Sequence, residues 1–134
     1  MAFATTNTGK FLQPPGEYVP SAQNKFADVS APTTTSAFNT GISSLFFARV
    51  IVKVKAYGTL VAGDSLTVNL QVGTGTAVTN PVNVGTYVYT MATGDTAASF
   101  VFYCWSDTAF QSYKVATTST SSHTATLDIQ VDCC

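Results

Sequence analysis

The sequence predicts an all-β fold: an antiparallel β-sandwich, jelly-roll-like, with an extended N-terminal arm. Three observations lead there. Apolar residues recur at every second position in several short runs after residue 44. Helix formers such as Glu, Lys, Arg and Gln are scarce, while the β-branched and aromatic residues that fit a pleated surface abound. Clusters of Gly, Asn, Asp and Ser separate the runs, which is the punctuation of a many-stranded sandwich.

Residues 1–41 stand apart. They hold Pro14, Pro15, Pro20 and Pro32 and keep neither period for long, so they are read as an irregular arm preceding a β domain over 42–134. Widely spaced aromatic and aliphatic residues mark that arm: Phe3, Phe11, Leu12, Tyr18, Val19, Phe26 and Phe38. A solvated tail is poorer in aromatics, so these are expected to anchor the arm on a surface of this subunit, a neighbour or a larger partner. In ARVIVKVKA, Val50, Val52, Val54 and Ala56 share one face, against Arg49, Lys53 and Lys55. LTVNLQV places Leu66, Val68, Leu70 and Val72 inward, after a turn at Ala62-Gly63-Asp64-Ser65. A short strand around Val82–Val84 and a separate one at TYVYTM follow, and then ASFVFYCWS, apolar on both faces as for a strand that meets a partner or is covered twice. SYKVATT and TATLDIQVD end the set, joined by a Ser/Thr tract at 117–124 read as a hairpin connection.

Composition narrows the function. Charged residues make up 10% of the chain and the net charge is -1, against roughly 25% charged in an average soluble domain. With six Lys plus Arg and no basic tail, nucleic acid is not an expected partner. No apolar run approaches the roughly 20 residues that span a bilayer, and MAFATTNTGK lacks the pattern of a signal peptide, so no membrane partner is expected. Folding in a cytoplasm, with reduced thiols, follows from that reading.

Candidates for chemistry are few. His123 is the one histidine, and it lies in the polar tract beside Ser121 and Ser122 with no nucleophile elbow, so an exposed loop histidine is favoured over a catalytic one. Asp64 and Asp95 sit in Gly-Asp turns. Asp128 and Asp132 share an outer face and could hold a cation, but a solvent-facing structural role is favoured. GTGT at 73–76 lacks the helix and lysine of a phosphate loop. Cys104 and Cys133 continue inward rows, and adjacent Cys133 and Cys134 cannot readily grip one zinc ion. We expect no catalytic residue, no metal, no cofactor and no enzymatic activity. The aromatics carry more weight: Tyr87 with Tyr89, and Tyr103 with Trp105, could form a surface that stacks on sugar rings or packs on another subunit. The competing reading is an aromatic core.

FFARVIVKVKAYGTLVAGDSLTVNLQVG, the later FQSYKVATTSTSSHTATLDIQVD and the aromatic-dotted arm together resemble the small decoration, or cement, proteins of tailed bacteriophage capsids. In those, a Val-rich hairpin is paired with a late Tyr strand, a polar loop and a final alternating strand. The resemblance implies a non-enzymatic structural protein of the virion, made in the host cytoplasm and seated on the capsid exterior. It implies the major capsid protein and further copies of the chain as partners, a homotrimer ahead of a dimer, with the arm reaching across capsomer contacts. The alternative is a carbohydrate-binding or tail-associated adhesion β-domain using Tyr87, Tyr89, Tyr103 and Trp105.

Overall fold

The computed structural model describes residues 20–134, so the anchors Phe3, Phe11, Leu12 and Tyr18 lie outside the described residues. Eight strands are found among the described residues: β1 (Ala22–Ala31), β2 (Phe38–Asn39), β3 (Leu45–Ala56), β4 (Ser65–Gly73), β5 (Val82–Thr90), β6 (Ala98–Phe110), β7 (Ser112–Ser119) and β8 (Ala125–Cys133). The first sheet has the order β1-β8-β3-β6 and the second β2-β7-β4-β5, all pairings antiparallel. Only the β4–β5 connection stays within one sheet. All others carry the chain across the sandwich, which is the winding of an eight-stranded jelly roll.

The core lies where the inner rows meet. Val50, Val52, Leu127, Ile129 and Val131 of the first sheet face Leu66, Val68, Leu70, Tyr113 and Val115 of the second, all of them buried. Their strict alternation is what locks the register, because a one-residue slip would turn each row out to water. The adjacent positions Thr67, Asn69 and Gln71 face outward and are half-buried.

Four expectations are corrected by this topology. Residues 22–41 are part of the sandwich: β1 pairs with β8 from Ala22 to Ala31, and β2 with β7. A bulge between Phe26 and Val29, where Asp28 takes a φ of 55°, breaks the alternation of β1 and hides it from a period count. The segments around Val82 and TYVYTM are one strand, bent by a bulge where the register shifts between Leu70 and Gln71. The Val-rich run and LTVNLQV do not form a hairpin, since β3 and β4 lie in different sheets. Nor is 117–124 a hairpin: a 3-10 turn at Thr120–Ser122 leads from β7 in one sheet to β8 in the other.

Phe26 and Phe38 also turn out to be internal. Phe26 meets the ring of Tyr113 edge-on at 6.3 Å and Phe38 lies 5.6 Å from the same ring, so both anchor their strands to this chain's own core.

Candidate functional site

β6 is an edge strand of the first sheet, with β3 as its neighbour, and β5 is the edge of the second on the same side. Alternation on β6 puts Phe100, Phe102 and Cys104 inward, buried, and Val101, Tyr103 and Trp105 outward, exposed. Register then sets β3 partners beside them: Phe47 opposite Trp105, Arg49 opposite Tyr103 and Ile51 opposite Val101. The Phe47 ring stacks at 6.0 Å on Tyr103 and lies 4.3 Å from Trp105. Cross-strand aromatic pairs of this kind stabilise a sheet face by roughly 0.5–1.5 kcal/mol beyond burial. The result is a rigid aromatic strip with Trp105 72% and Tyr103 60% exposed.

Tyr87 and Tyr89 are not part of it. They face inward from β5 across the gap between the sheets, Tyr87 stacking on Phe100 at 4.4 Å and Tyr89 at 5.8 Å. The four aromatics expected to form one surface therefore divide two and two: Tyr103 and Trp105 face solvent, while Tyr87 and Tyr89 close the open side of the sandwich. The Tyr89 hydroxyl donates to Asp95 at 2.6 Å and lies 2.9 Å from that of Tyr57, tying the 91–95 turn to the end of β3. Burial, then these two neighbours, holds the Tyr89 phenol well above its ordinary range.

Beside the strip, Asp132 is fully buried although it sits on the outer face of β8. Arg49 donates to its Oδ2 from Nη2 at 2.6 Å and Nε at 3.2 Å, and the Nε2 amides of Gln23 and Gln130 donate to Oδ1 at 2.8 and 3.0 Å. Burial alone would raise this carboxyl, but the Arg49, Gln130 and Gln23 hydrogen bonds outweigh it and hold it below the ordinary value. The solvent-facing role expected of Asp132 is thereby replaced by that of a buried clamp. Asp128 is the more exposed member, taking the Asp28 amide and lying 3.8 and 3.6 Å from the Lys25 and Lys55 ammonium groups.

A cleft of about 700 Å³ opens at the same end as Trp105, between the 73–83 loop and the last residues of β6. Beyond the bulge in β5, Val82 falls opposite Val72 on the inward row yet remains exposed. Val72, Val82, Val84 and Phe110 make the apolar floor, and Asn80, Asn83 and Asp107 stand at the polar rim with Trp105. The loop is held firmly: Val78 is buried, and the Gly73 carbonyl accepts the Gln111 amide at 3.0 Å. Gly73 itself must lack a side chain, since a Cβ there would meet the Ala77 oxygen at 2.9 Å. Nothing in the period of the sequence marks this cleft. Its one sequence signal is GTGTAVTNP, a turn-rich tract long enough to form a wall.

His123 binds Asp64 at the opposite end of the sandwich, Nδ1 to Oδ2 at 2.6 Å, and this contact, with the Val61 amide, lowers the Asp64 carboxyl. Among the described residues no hydroxyl meets the imidazole, and the pair serves to pin two loops. No cluster of three or more metal-ligating side chains occurs among the described residues. Nor is any helix among them long and apolar enough to cross a membrane.

No protein-family model matches the chain, and no curated protein matches it. Structural neighbours include carbohydrate-binding modules and viral capsid proteins. One is a carbohydrate-binding module of Cellvibrio mixtus lichenase 5A in complex with cellotriose, at 14% identity over 85% of this chain and 88% of that one, with a TM-score of 0.46. The infectious bursal disease virus VP2 subviral particle gives 12% identity over 88% of this chain and 35% of that one, with a TM-score of 0.46. Bacillus endospore appendages, disulfide-linked pili, give 20% identity over 90% and 94%, with a TM-score of 0.39.

Proposed function

We propose that this chain is a non-enzymatic structural subunit that decorates and stabilises a bacteriophage capsid from outside, as a homotrimer. The observation that carries the reading is the aromatic strip of Val101, Tyr103 and Trp105 with Phe47, displayed on an edge strand of a charge-poor body. Exposed rows of this kind mark protein contact surfaces, where aromatic residues are enriched and charges are depleted. The chain enters the sandwich beside this strip, since Ser21 bonds the Cys133 carbonyl while Cys134 bonds Phe47. In this proposal the preceding segment, with Phe3, Phe11, Leu12 and Tyr18, reaches across capsomer contacts.

The test is co-sedimentation with shells assembled from the major capsid protein of the virus that encodes the chain, with light scattering for the oligomeric state. Tyr103→Lys is expected to abolish binding while leaving the fold intact, and removal of residues 1–19 to weaken it. Folded wild-type protein that stays in the supernatant at saturating shell would refute the reading.

A further inference from the structure

We infer that the end cleft is a binding site for a neutral oligosaccharide. The inference stands on the cleft and does not depend on the capsid reading. Its volume of about 700 Å³ lies within the about 300–1,000 Å³ typical of small-molecule sites. Two halves of its lining differ in kind: an apolar floor of Val72, Val82 and Phe110, and a polar rim of Asn80, Asn83 and Asp107. Sugar rings present the same two halves, one face of C–H groups and an edge of hydroxyls.

The rim decides the ligand class. The side chains of Asn80, Asn83 and Asp107 have no hydrogen-bond partner among the described residues, so their donors and acceptors are available to a ligand. A purely apolar guest would strip water from them and return nothing, a cost that hydroxyl groups avoid. Asp107 is the one charged residue in the lining, which disfavours phosphate and other anions and offers hydroxyl donors a strong acceptor. Trp105, braced on one flank by Phe47 at 4.3 Å and 72% exposed, adds an aromatic ring to the lining. The wall opposite is fixed by the Gly73–Gln111 hydrogen bond and by buried Val78, so the cleft is formed before any ligand arrives.

The full chain should be titrated with a panel of neutral tri- and hexasaccharides built from glucose, mannose, xylose and N-acetylglucosamine. Trp105, the only tryptophan, supplies the fluorescence signal, and calorimetry an independent one. At least one sugar is expected to give saturable binding that falls at least about tenfold, equivalent to about 1.4 kcal/mol, in Trp105→Ala and in the Asn80→Ala/Asn83→Ala double variant. The rim asparagines are exposed, so the double variant keeps the fold even if Trp105→Ala loosens Phe47. Tyr103→Ala, on the outer face and off the cleft, should bind sugar as wild type does. Absence of saturable binding across the panel at millimolar sugar would overturn the inference, as would equal affinity in the asparagine double variant. Loss of shell binding in Tyr103→Lys with sugar binding retained keeps the two readings separable.

Discussion

Replacing Asp132 with Asn tests the least obvious feature of the outer sheet, a fully buried carboxylate on a face otherwise open to solvent. Four donors converge on its two oxygens: Nη2 and Nε of Arg49, and the amides of Gln23 and Gln130. Asn keeps the shape but offers one acceptor oxygen, so its NH2 group must face donors on one side. The loss is the charge-assisted part of these bonds, about 1.5–3 kcal/mol. Asp132→Ala should cost more, about 3 kcal/mol, the low end for breaking a buried pair because Arg49 can recover water. The Arg49 side chain is 26% exposed, which is why the low end applies.

The pH dependence supplies the sign. Hydrogen bonds hold the Asp132 carboxyl below its ordinary value of 3.8, so the folded state favours the ionised form. That stabilisation is complete above the ordinary value and drains away as pH falls through the lower folded value. At pH 7 urea unfolding should separate wild type from Asp132→Asn by the full amount. As the pH falls below 3.8 toward the lower folded value the gap should narrow, because the wild-type carboxyl becomes a neutral group resembling the variant's. A gap that is absent at pH 7, or unchanged on acidification, would refute the reasoning.

Gly85→Ala should destabilise by about 1–3 kcal/mol through overpacking. The new Cβ would clash with Cys104 Sγ, so most of that cost should vanish in a Cys104→Ala background when thermal midpoints are compared; full additivity would count against it. Burial pushes the Cys104 thiol up to about 11 and Cys133 up to about 12, whereas Cys134 is exposed. A thiol-reactive dye at pH 8 should therefore label one cysteine quickly and the other two only in denaturant, and three fast reactions would contradict the buried rows. Tyr89→Phe removes hydrogen bonds to Asp95 and Tyr57 and should cost about 1–3 kcal/mol by urea unfolding. Because the Tyr89 phenol is raised, the stabilisation it lends is full below its ordinary value of 10.0 and is lost as the pH rises through the higher folded value, and ultraviolet titration should show Tyr89 and the buried Tyr113 ionising only with unfolding.

Alternation made β3, β4 and β8 legible, because each buries one face in a common core and water faces the other. It failed on β1, where inward Asn24 and the bulge at Asp28 break the phase, and on β5, where the bulge before Gly85 divides one strand into two apparent ones. Turn residues such as Gly63 and Asp64 announce a reversal but not whether the next strand pairs alongside or crosses to the other sheet. For that reason the jelly-roll class was readable and the order of its strands was not. The aromatic site shows the same boundary. Period two correctly put Tyr87 with Tyr89 and Tyr103 with Trp105, but whether two strands turn those faces toward solvent or toward each other is a tertiary fact.

The outer face of the first sheet is divided along its length. At one pole lie Lys25, Lys55, Asp28 and Asp128, an ion cluster with the Lys55 ammonium 2.5 Å from Asp28, raised in pKa first by that hydrogen bond. At the other lie Phe47, Tyr103 and Trp105, the cleft mouth, and the hydrogen bond from the Ser21 amide to the Cys133 carbonyl. Exposed ion pairs contribute little to stability, but they keep their pole hydrated and disfavour burial there. A partner surface therefore meets less resistance at the aromatic pole, where the charge beside the strip, Arg49, is already paired with buried Asp132. Trp105 belongs both to the strip and to the cleft rim, so a subunit seated on the strip and a sugar in the cleft compete for one ring. Mixed with saturating oligosaccharide, the chain should bind shells more weakly; undiminished binding would mean that the strip and the cleft act independently.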